Sequence, residues 1–376
     1  MDAILKMLGI AGSPLQGLVP VTVIFLMAAT VTWLFIPRVR GYALEKGLGD
    51  KPNARRLNKE LLPNLGGVTI YFGIVAALVL AFALKGVLLE RVLVQTLAIV
   101  LGGTMLLMVG FIDDQFELPP VFRIVVQLIA AGLLVVTGIR IDLPFLSSAF
   151  DVILTIFWVI GITNAVNLMD GIDGLVGGFG FIASSCLLAI SAQFPERAAA
   201  VLILAAVAGG CLGFLRHNFN PSRIILGDAG AYFIGYILAA VSILGVAKVA
   251  TAASLLAPLL FLAVPIIDTT QVVIRRLRRG LNPMSNPDKR HLHHQLLRKG
   301  LSQRRSVVVL WTLILTVNAL GMIVQNVRPL VVVVTVVGVT LMLLVVSRLR
   351  VREALREQLE RARLESPEKL EQKPAS

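Results

Sequence analysis

Four oxygen-bearing side chains, Asn164, Asn167, Asp170 and Asp173, recur at three-residue intervals in Asn164-Ala-Val-Asn-Leu-Met-Asp-Gly-Ile-Asp-Gly-Leu175. Apolar runs flank the stretch, one ending near Ile162 and the next beginning at Leu175. In an ideal helix each three-residue step falls about 60° short of a turn, so the four would drift halfway round the cylinder. Gly171 and Gly174 disfavour an uninterrupted helix further. The spacing therefore predicts a helix that ends near Leu168, followed by a tight polar turn at a membrane boundary. An ordinary solvated loop would account for one Asp-Gly pair, but not for four such side chains among residues this apolar.

Other clusters carry compatible chemistry. Asp113-Asp114 follow an apolar run and precede Pro119-Pro120; adjacent carboxylates there require a cation or a raised pKa on one member. A helix end meeting water is the plainer reading of that pair. Arg123, one turn into the next apolar run, offers an anion a positive neighbour or snorkels to the interface. In Gly227-Asp228-Ala-Gly230 the acid either caps a helix or sits where glycines let a phosphate or metal approach the backbone. His291, His293 and His294 follow Asp288-Lys289-Arg290 and the arginines Arg275, Arg276, Arg278 and Arg279. Without an H-E-x-x-H pattern or an accompanying cysteine, the histidines suit a polyanion better than zinc. Asp50-Lys51-Pro-Asn53, Arg55-Arg56 and Pro63-Asn-Leu-Gly-Gly67 form a basic, turn-rich segment. Acidic groups suited to Mg²⁺, glycine turns and phosphate-binding cations together point to phosphoryl transfer on a nucleotide-type substrate, with a second substrate in the membrane. The chain has no G-x-x-x-x-G-K loop and no kinase signature, which argues against ATP hydrolysis.

The elements that must position these groups are transmembrane helices. The 376 residues are 57% hydrophobic and 15% charged, with a mean hydropathy of +0.85, outside the soluble globular range. Eleven apolar runs are long enough to span hydrocarbon: approximately 17–36, 65–84, 92–111, 121–137, 150–167, 175–193, 198–215, 229–247, 252–272, 306–324 and 329–347. The fold class is all-α and polytopic, with a single membrane-embedded domain over 1–347. Residues 348–376 form a charged tail, helical and then disordered past Pro367, with no chemistry assigned to it. The first run is too long for a signal-peptide core and is expected to be retained. Of 35 Lys and Arg residues, 7 fall on one side and 28 on the other, which places the N-terminus outside and the C-terminus in the cytoplasm. Every polar cluster then falls on the cytoplasmic face. The net charge of +13 reads as positive-inside bias and attraction to anionic lipid rather than nucleic-acid binding. Cys186 and Cys211 lie inside apolar runs and read as small buried hydrophobes. Gly209, Gly210 and Gly213 allow either close packing within the bundle or a homodimer seam.

Five motifs in order make the chain resemble the polyprenyl-phosphate N-acetylhexosamine-1-phosphate transferases. They are Asp-Lys-Pro-Asn with Pro-x-x-Gly-Gly over 50–67, Asp113-Asp114, Asn164-x-x-Asn-x-x-Asp-Gly-Ile-Asp-Gly, Gly-Asp-Ala-Gly over 227–230, and Asp288-x-x-His-Leu-His-His. The resemblance implies an inner-membrane enzyme that takes a UDP-N-acetylhexosamine from the cytoplasm. The phosphate of undecaprenyl or another polyprenyl phosphate attacks the sugar-linked phosphorus, UMP leaves, and a polyprenyl-pyrophosphate sugar opens a cell-envelope glycan pathway. It further implies Mg²⁺, or Mn²⁺ in its place, on Asn167 and Asp228. Asp113 or Asp114 would act as base toward the lipid phosphate, in preference to a covalent aspartyl route. Asp170, Asp173 and the histidines would line the nucleotide-sugar pocket, and Lys51, Asn53 and Arg123 would bind substrate. Asn164 is grouped with the substrate residues, chiefly as support.

The His-Leu-His-His and Asp-Lys-Pro-Asn motifs look like the UDP-GlcNAc branch, which serves teichoic acid, common-antigen or O-antigen synthesis. Asn58 and Ala231 depart from that branch, which more often has histidine and serine there. The alternatives are a phospho-MurNAc-pentapeptide transferase, a cation or organic-anion transporter, and a lipid-binding scaffold. A transporter would place ionisable groups near the bilayer midplane rather than at one face.

Overall fold

The computed structural model describes residues 18–50, 61–85, 90–143, 147–194, 197–245, 252–280 and 290–371. Thirteen helices lie among them: α1 Leu18–Lys46, α2 Gly66–Lys85, α3 Glu90–Phe116, α4 Pro120–Val136, α5 Ser148–Met169, α6 Leu175–Ser191, α7 Ala198–Asn218, α8 Gly227–Gly245, α9 Ala252–Phe261, α10 Ala263–Arg278, α11 Leu292–Arg298, α12 Gln303–Val324 and α13 Pro329–Glu371. The described residues contain no strand, only an isolated bridge between Asp50 and Leu62. Eight helices are long and apolar enough to cross a membrane, and α4 and α6 are shorter apolar helices. The chain is an all-α, polytopic membrane protein.

Burial ranks the helices. In α8, 89% of the apolar window is buried and in α7 83%, against 17% in α13 and 22% in α1. The middle of the bundle is therefore α7 and α8, with α1, α2 and α6 packed on α7 and with α3 and α5 on α8. Leu330, Val333, Val334, Val337 and Leu341 on α13 stay exposed, as suits a helix whose surroundings are hydrocarbon. Gly209, Gly210 and Gly213 belong to this packing. A Cβ at Gly209 would lie 2.1 Å from the Phe25 carbonyl, at Gly213 2.3 Å from that of Ala29, and at Gly210 3.2 Å from Ile70. These glycines seat α7 against α1 and α2 within the chain.

The run expected as one span over 252–272 is instead broken between α9 and α10, at Leu262. Pro265 has no N–H for the Phe261 carbonyl four residues earlier, and its ring crowds that carbonyl. Asn318 of α12 donates to the Phe261 carbonyl at 3.3 Å in its place. Broken backbone at membrane depth persists only where protein satisfies it. α10 then carries Asp268, buried to 2% exposure, to the polar end of the bundle.

That end is clamped by close backbone contacts. Gly66 and Gly67 donate to the carbonyls of Ile225 (3.0 Å) and Leu226 (2.9 Å). A Cβ at Gly67 would fall 2.2 Å from Gly230 Cα, and one at Gly110 2.5 Å from Ala229 Cα. The start of α8 is thus wedged between α2 and α3. Replacing Gly110 by alanine is expected to cost about 1–3 kcal/mol through overpacking. Its melting temperature in detergent should fall, whereas Gly132→Ala, with open space around the new methyl, should leave it unchanged or raise it.

Candidate active site

Helix α5 ends at Met169 with Asp170 as its C-cap, one residue beyond the predicted end. Gly174, at φ +85°, then turns the chain into α6, a conformation that glycine adopts without steric cost. Its N–H donates to Asn218 Oδ1 at 2.8 Å. The Asn164–Leu175 stretch is therefore a helix end and a tight turn, as its spacing predicts.

Three helix ends bring the acids together. Asp228 opens α8 and accepts from the Asn167 amide, Nδ2 to Oδ1, at 2.7 Å. Asp114, near the end of α3, accepts from the N–H groups of Asp228 (3.0 Å) and Ala229 (3.3 Å). It caps α8, where orphan donors and the helix dipole favour an anion. A Cβ on Gly227 would lie 2.6 Å from Asp114 Oδ2 and 2.3 Å from the Asn64 carbonyl. The space freed by this glycine is filled by the chain itself, so the close approach expected for a ligand is made by protein backbone.

Asp113 has its own cation. Arg123 donates to Oδ2 at 2.8 Å and to the Tyr232 hydroxyl at 3.2 Å. The Leu118 N–H reaches Oδ1 at 2.7 Å, and Asp113 is 5% exposed. Of the two readings of Arg123, the ion pair is the one realised. Asp173 accepts from the Asn220 amide (2.9 Å) and the Ser222 N–H (3.3 Å).

Asp170 is different. Among the described residues no donor reaches its carboxylate. Burial, then the charges of Asp228, Asp114 and Asp173, push its pKa up to about 8. Asn167 and Asp228, beside Asp170, present hard oxygens that could hold a divalent cation. The described residues hold no group of three or more His, Cys, Asp or Glu fit to bind a metal unaided. Mg²⁺ does not require such a group, since it takes one or two carboxylates plus substrate phosphates.

The histidines reach the same turn from α11. His293 is buried, and its Nε2 has no hydrogen-bond partner among the described residues; that atom lies 2.1 Å from where a Cβ on Gly171 would stand. Burial, then the neighbouring His294 and His291, lowers its pKa to about 3. That shift favours the neutral imidazole, which faces the Asp170–Gly174 turn and can still donate one hydrogen bond. His291 stacks on His293 with centroids 5.8 Å apart, and His294 follows at 4.2 Å from His293.

Asn164 stands apart. It exchanges hydrogen bonds with Gln127, the shorter at 2.7 Å, and so ties α5 to α4 as support. Lys51 and Asn53 lie outside the described residues, as do Asn58 and Asp288.

Comparison with known proteins now decides the family. Residues 96–246 match the model of glycosyl transferase family 4. The "Probable undecaprenyl-phosphate N-acetylglucosaminyl 1-phosphate transferase" of Bacillus subtilis (strain 168) is 35% identical over 306 residues, 79% of this chain and 82% of that protein. The chain belongs to glycosyl transferase family 4. Two further relatives are the "Decaprenyl-phosphate N-acetylglucosaminephosphotransferase" of Mycolicibacterium smegmatis and the "Undecaprenyl-phosphate alpha-N-acetylglucosaminyl 1-phosphate transferase" of Escherichia coli K12. The first is 32% identical over 80% of each chain; the second is 28% identical over 74% of this chain and 77% of its own. The resemblance drawn from five motifs is borne out.

This family 4 site includes residues that motif reading missed. Asp268 accepts from the Leu292 N–H at 2.8 Å and pairs with His291 Nδ1 at 2.9 Å, fixing the start of α11. An aspartate inside an apolar run was the available signal. Tyr232 lies one turn beyond Asp228, among the acids. Nothing in sequence spacing marks Asn220 as the partner of Asp173.

The raised Asp170 pKa sets a pH dependence. The folded protein holds this proton more tightly than the unfolded chain, so the associated stability is complete below about pH 4 and lost as pH rises toward 8. In chelator, the melting temperature should fall across this window, and Asp170→Asn should flatten the slope. An unchanged slope in the variant would contradict the assignment.

Proposed function

We propose that the protein transfers N-acetylglucosamine-1-phosphate from a UDP-sugar to a polyprenyl phosphate, releasing UMP. The observation that carries this reading is the convergence of Asp114, Asn167, Asp170 and Asp228 at three helix ends, with Asp170 unpartnered. The names of the family 4 relatives support both the lipid acceptor and the sugar. Clustering at one end of the bundle, rather than midway along helices, argues against a transporter. The Lys and Arg asymmetry supports an inner-membrane orientation with this end toward the cytoplasm, where nucleotide sugars are found.

In the proposed reaction a lipid-phosphate oxygen attacks the sugar-linked phosphorus. The bond from that phosphorus to the bridging oxygen breaks, and UMP leaves with the oxygen. Asn167 and Asp228 would hold Mg²⁺, which when bound offsets the charge of the nucleotide pyrophosphate. Asp113, saturated by Arg123 and the Leu118 N–H, anchors Arg123, whose half-exposed guanidinium faces incoming anions. Asp114, whose partners are backbone N–H groups rather than a cation, would take a proton from the lipid phosphate. Asp170, Asp173 and His293 line the nucleotide-sugar pocket, with the neutral His293 ring available for one hydrogen bond.

Purified protein given polyprenyl phosphate, Mg²⁺ and a panel of UDP-GlcNAc, UDP-GalNAc and UDP-MurNAc-pentapeptide should release UMP fastest with UDP-GlcNAc. Asp228→Asn should lower that rate by about a hundredfold or more. Silence with every donor would overturn the reading.

A further inference from the structure

The charged extension of α13 was assigned no chemistry, yet it reaches back to the site. Glu353 forms a bidentate pair with Arg216, the Nη1 to Oε2 contact being 2.7 Å, and its Oε2 lies 3.4 Å from Arg223 Nη1. Glu357 pairs with Arg223. Arg350, 2% exposed, donates from Nε to the Pro221 carbonyl at 3.0 Å and lies 3.4 Å from Glu357. Two turns of one helix thus hold both the backbone and a side chain of the 219–226 loop.

That loop supplies both donors to Asp173, the Asn220 amide and the Ser222 N–H. Arg304 Nε braces the Asn220 carbonyl at 3.0 Å, and Arg40 Nε the Arg223 carbonyl at 3.2 Å. Isolated surface ion pairs contribute little, but here a buried guanidinium, a bidentate pair and two acids form one network. It joins residues more than a hundred positions apart in sequence.

We infer that Arg350, Glu353 and Glu357 are positioning residues: the α13 extension straps the 219–226 loop so that Asn220 and Ser222 hold Asp173 in the nucleotide-sugar pocket. The inference rests on the proposed function for the role of Asp173, but not for the strap itself. Arg223 in the loop and Arg216 in the last turn of α7 are the anchors facing the extension. The outward faces of the extension, including Leu355 and Leu359, take no part in it.

The test uses the full chain in detergent and the variant Glu353→Gln/Glu357→Gln, with two readouts. Backbone hydrogen exchange over 219–226 should quicken about tenfold or more while exchange in α12 stays unchanged. The KM for UDP-GlcNAc should rise about fivefold with kcat within about twofold, and added salt should shift the wild type toward the variant. Unchanged exchange over 219–226 would overturn the strap. Faster exchange with an unchanged KM would overturn its link to the pocket, as would kcat and KM moving together with the melting temperature. Absence of UMP release by the wild type would condemn the proposed function instead, and the exchange readout would still decide the strap.

Discussion

Carboxylates gathered where water is scarce repel one another, and the polar end of this protein is arranged around that repulsion. Besides Asp268, five aspartates among the described residues crowd together there, and four of them are given partners. Asp113 has Arg123, Asp114 has the amides at the start of α8, Asp173 has the 219–226 loop, and Asp228 has the Asn167 amide. Asp170 is left to burial and then to the field of its neighbours, which push its pKa up to about 8. Removing the proton at neutral pH calls for a cation or a cationic ligand complex. The same repulsion would act between a nucleotide pyrophosphate and a lipid phosphate, so one arrangement of charge answers both.

The bundle makes this crowding rigid. Glycines at 66, 67, 110 and 230 let α2 and α3 touch the start of α8 at backbone distance, so the helix end carrying Asp228 has little room to shift. Across the Asp170–Gly174 turn, Asp268 fixes α11 and brings His293 against Gly171. The site is thus fixed through helix termini and buried hydrogen bonds rather than through loops alone.

Much of this was legible in the sequence because it is local. The helix end and turn at Asn164–Leu175 follow from two glycines among regularly spaced polar residues. Apolar run lengths located the spans, and five motifs in order located the family. What escaped depends on contacts between distant segments. Whether Arg123 pairs or snorkels is decided by the angle between α3 and α4, which spacing does not encode. The partners of Asp173 come from a loop 47 residues on in sequence. The glycines at 227–230 looked like room for a ligand and proved to be room for other backbone. The break at Leu262 was a different case, since Pro265 stood in plain view inside a run read as continuous.

Under the proposed function, Asn164–Leu175 is one wall of a cation site that substrate completes rather than a row of polar residues. In the proposed mechanism these acids bind a divalent ion weakly alone and firmly once a nucleotide sugar supplies the remaining oxygens. Mn²⁺ followed by electron paramagnetic resonance tests it directly, with wild type and Asp228→Asn measured with and without UDP-GlcNAc. Mn²⁺ should stay largely free until the nucleotide sugar is added, then be immobilised by the wild type and remain unbound by the protein in the variant. Equal immobilisation by both proteins, or full immobilisation by the wild type without nucleotide sugar, would contradict it.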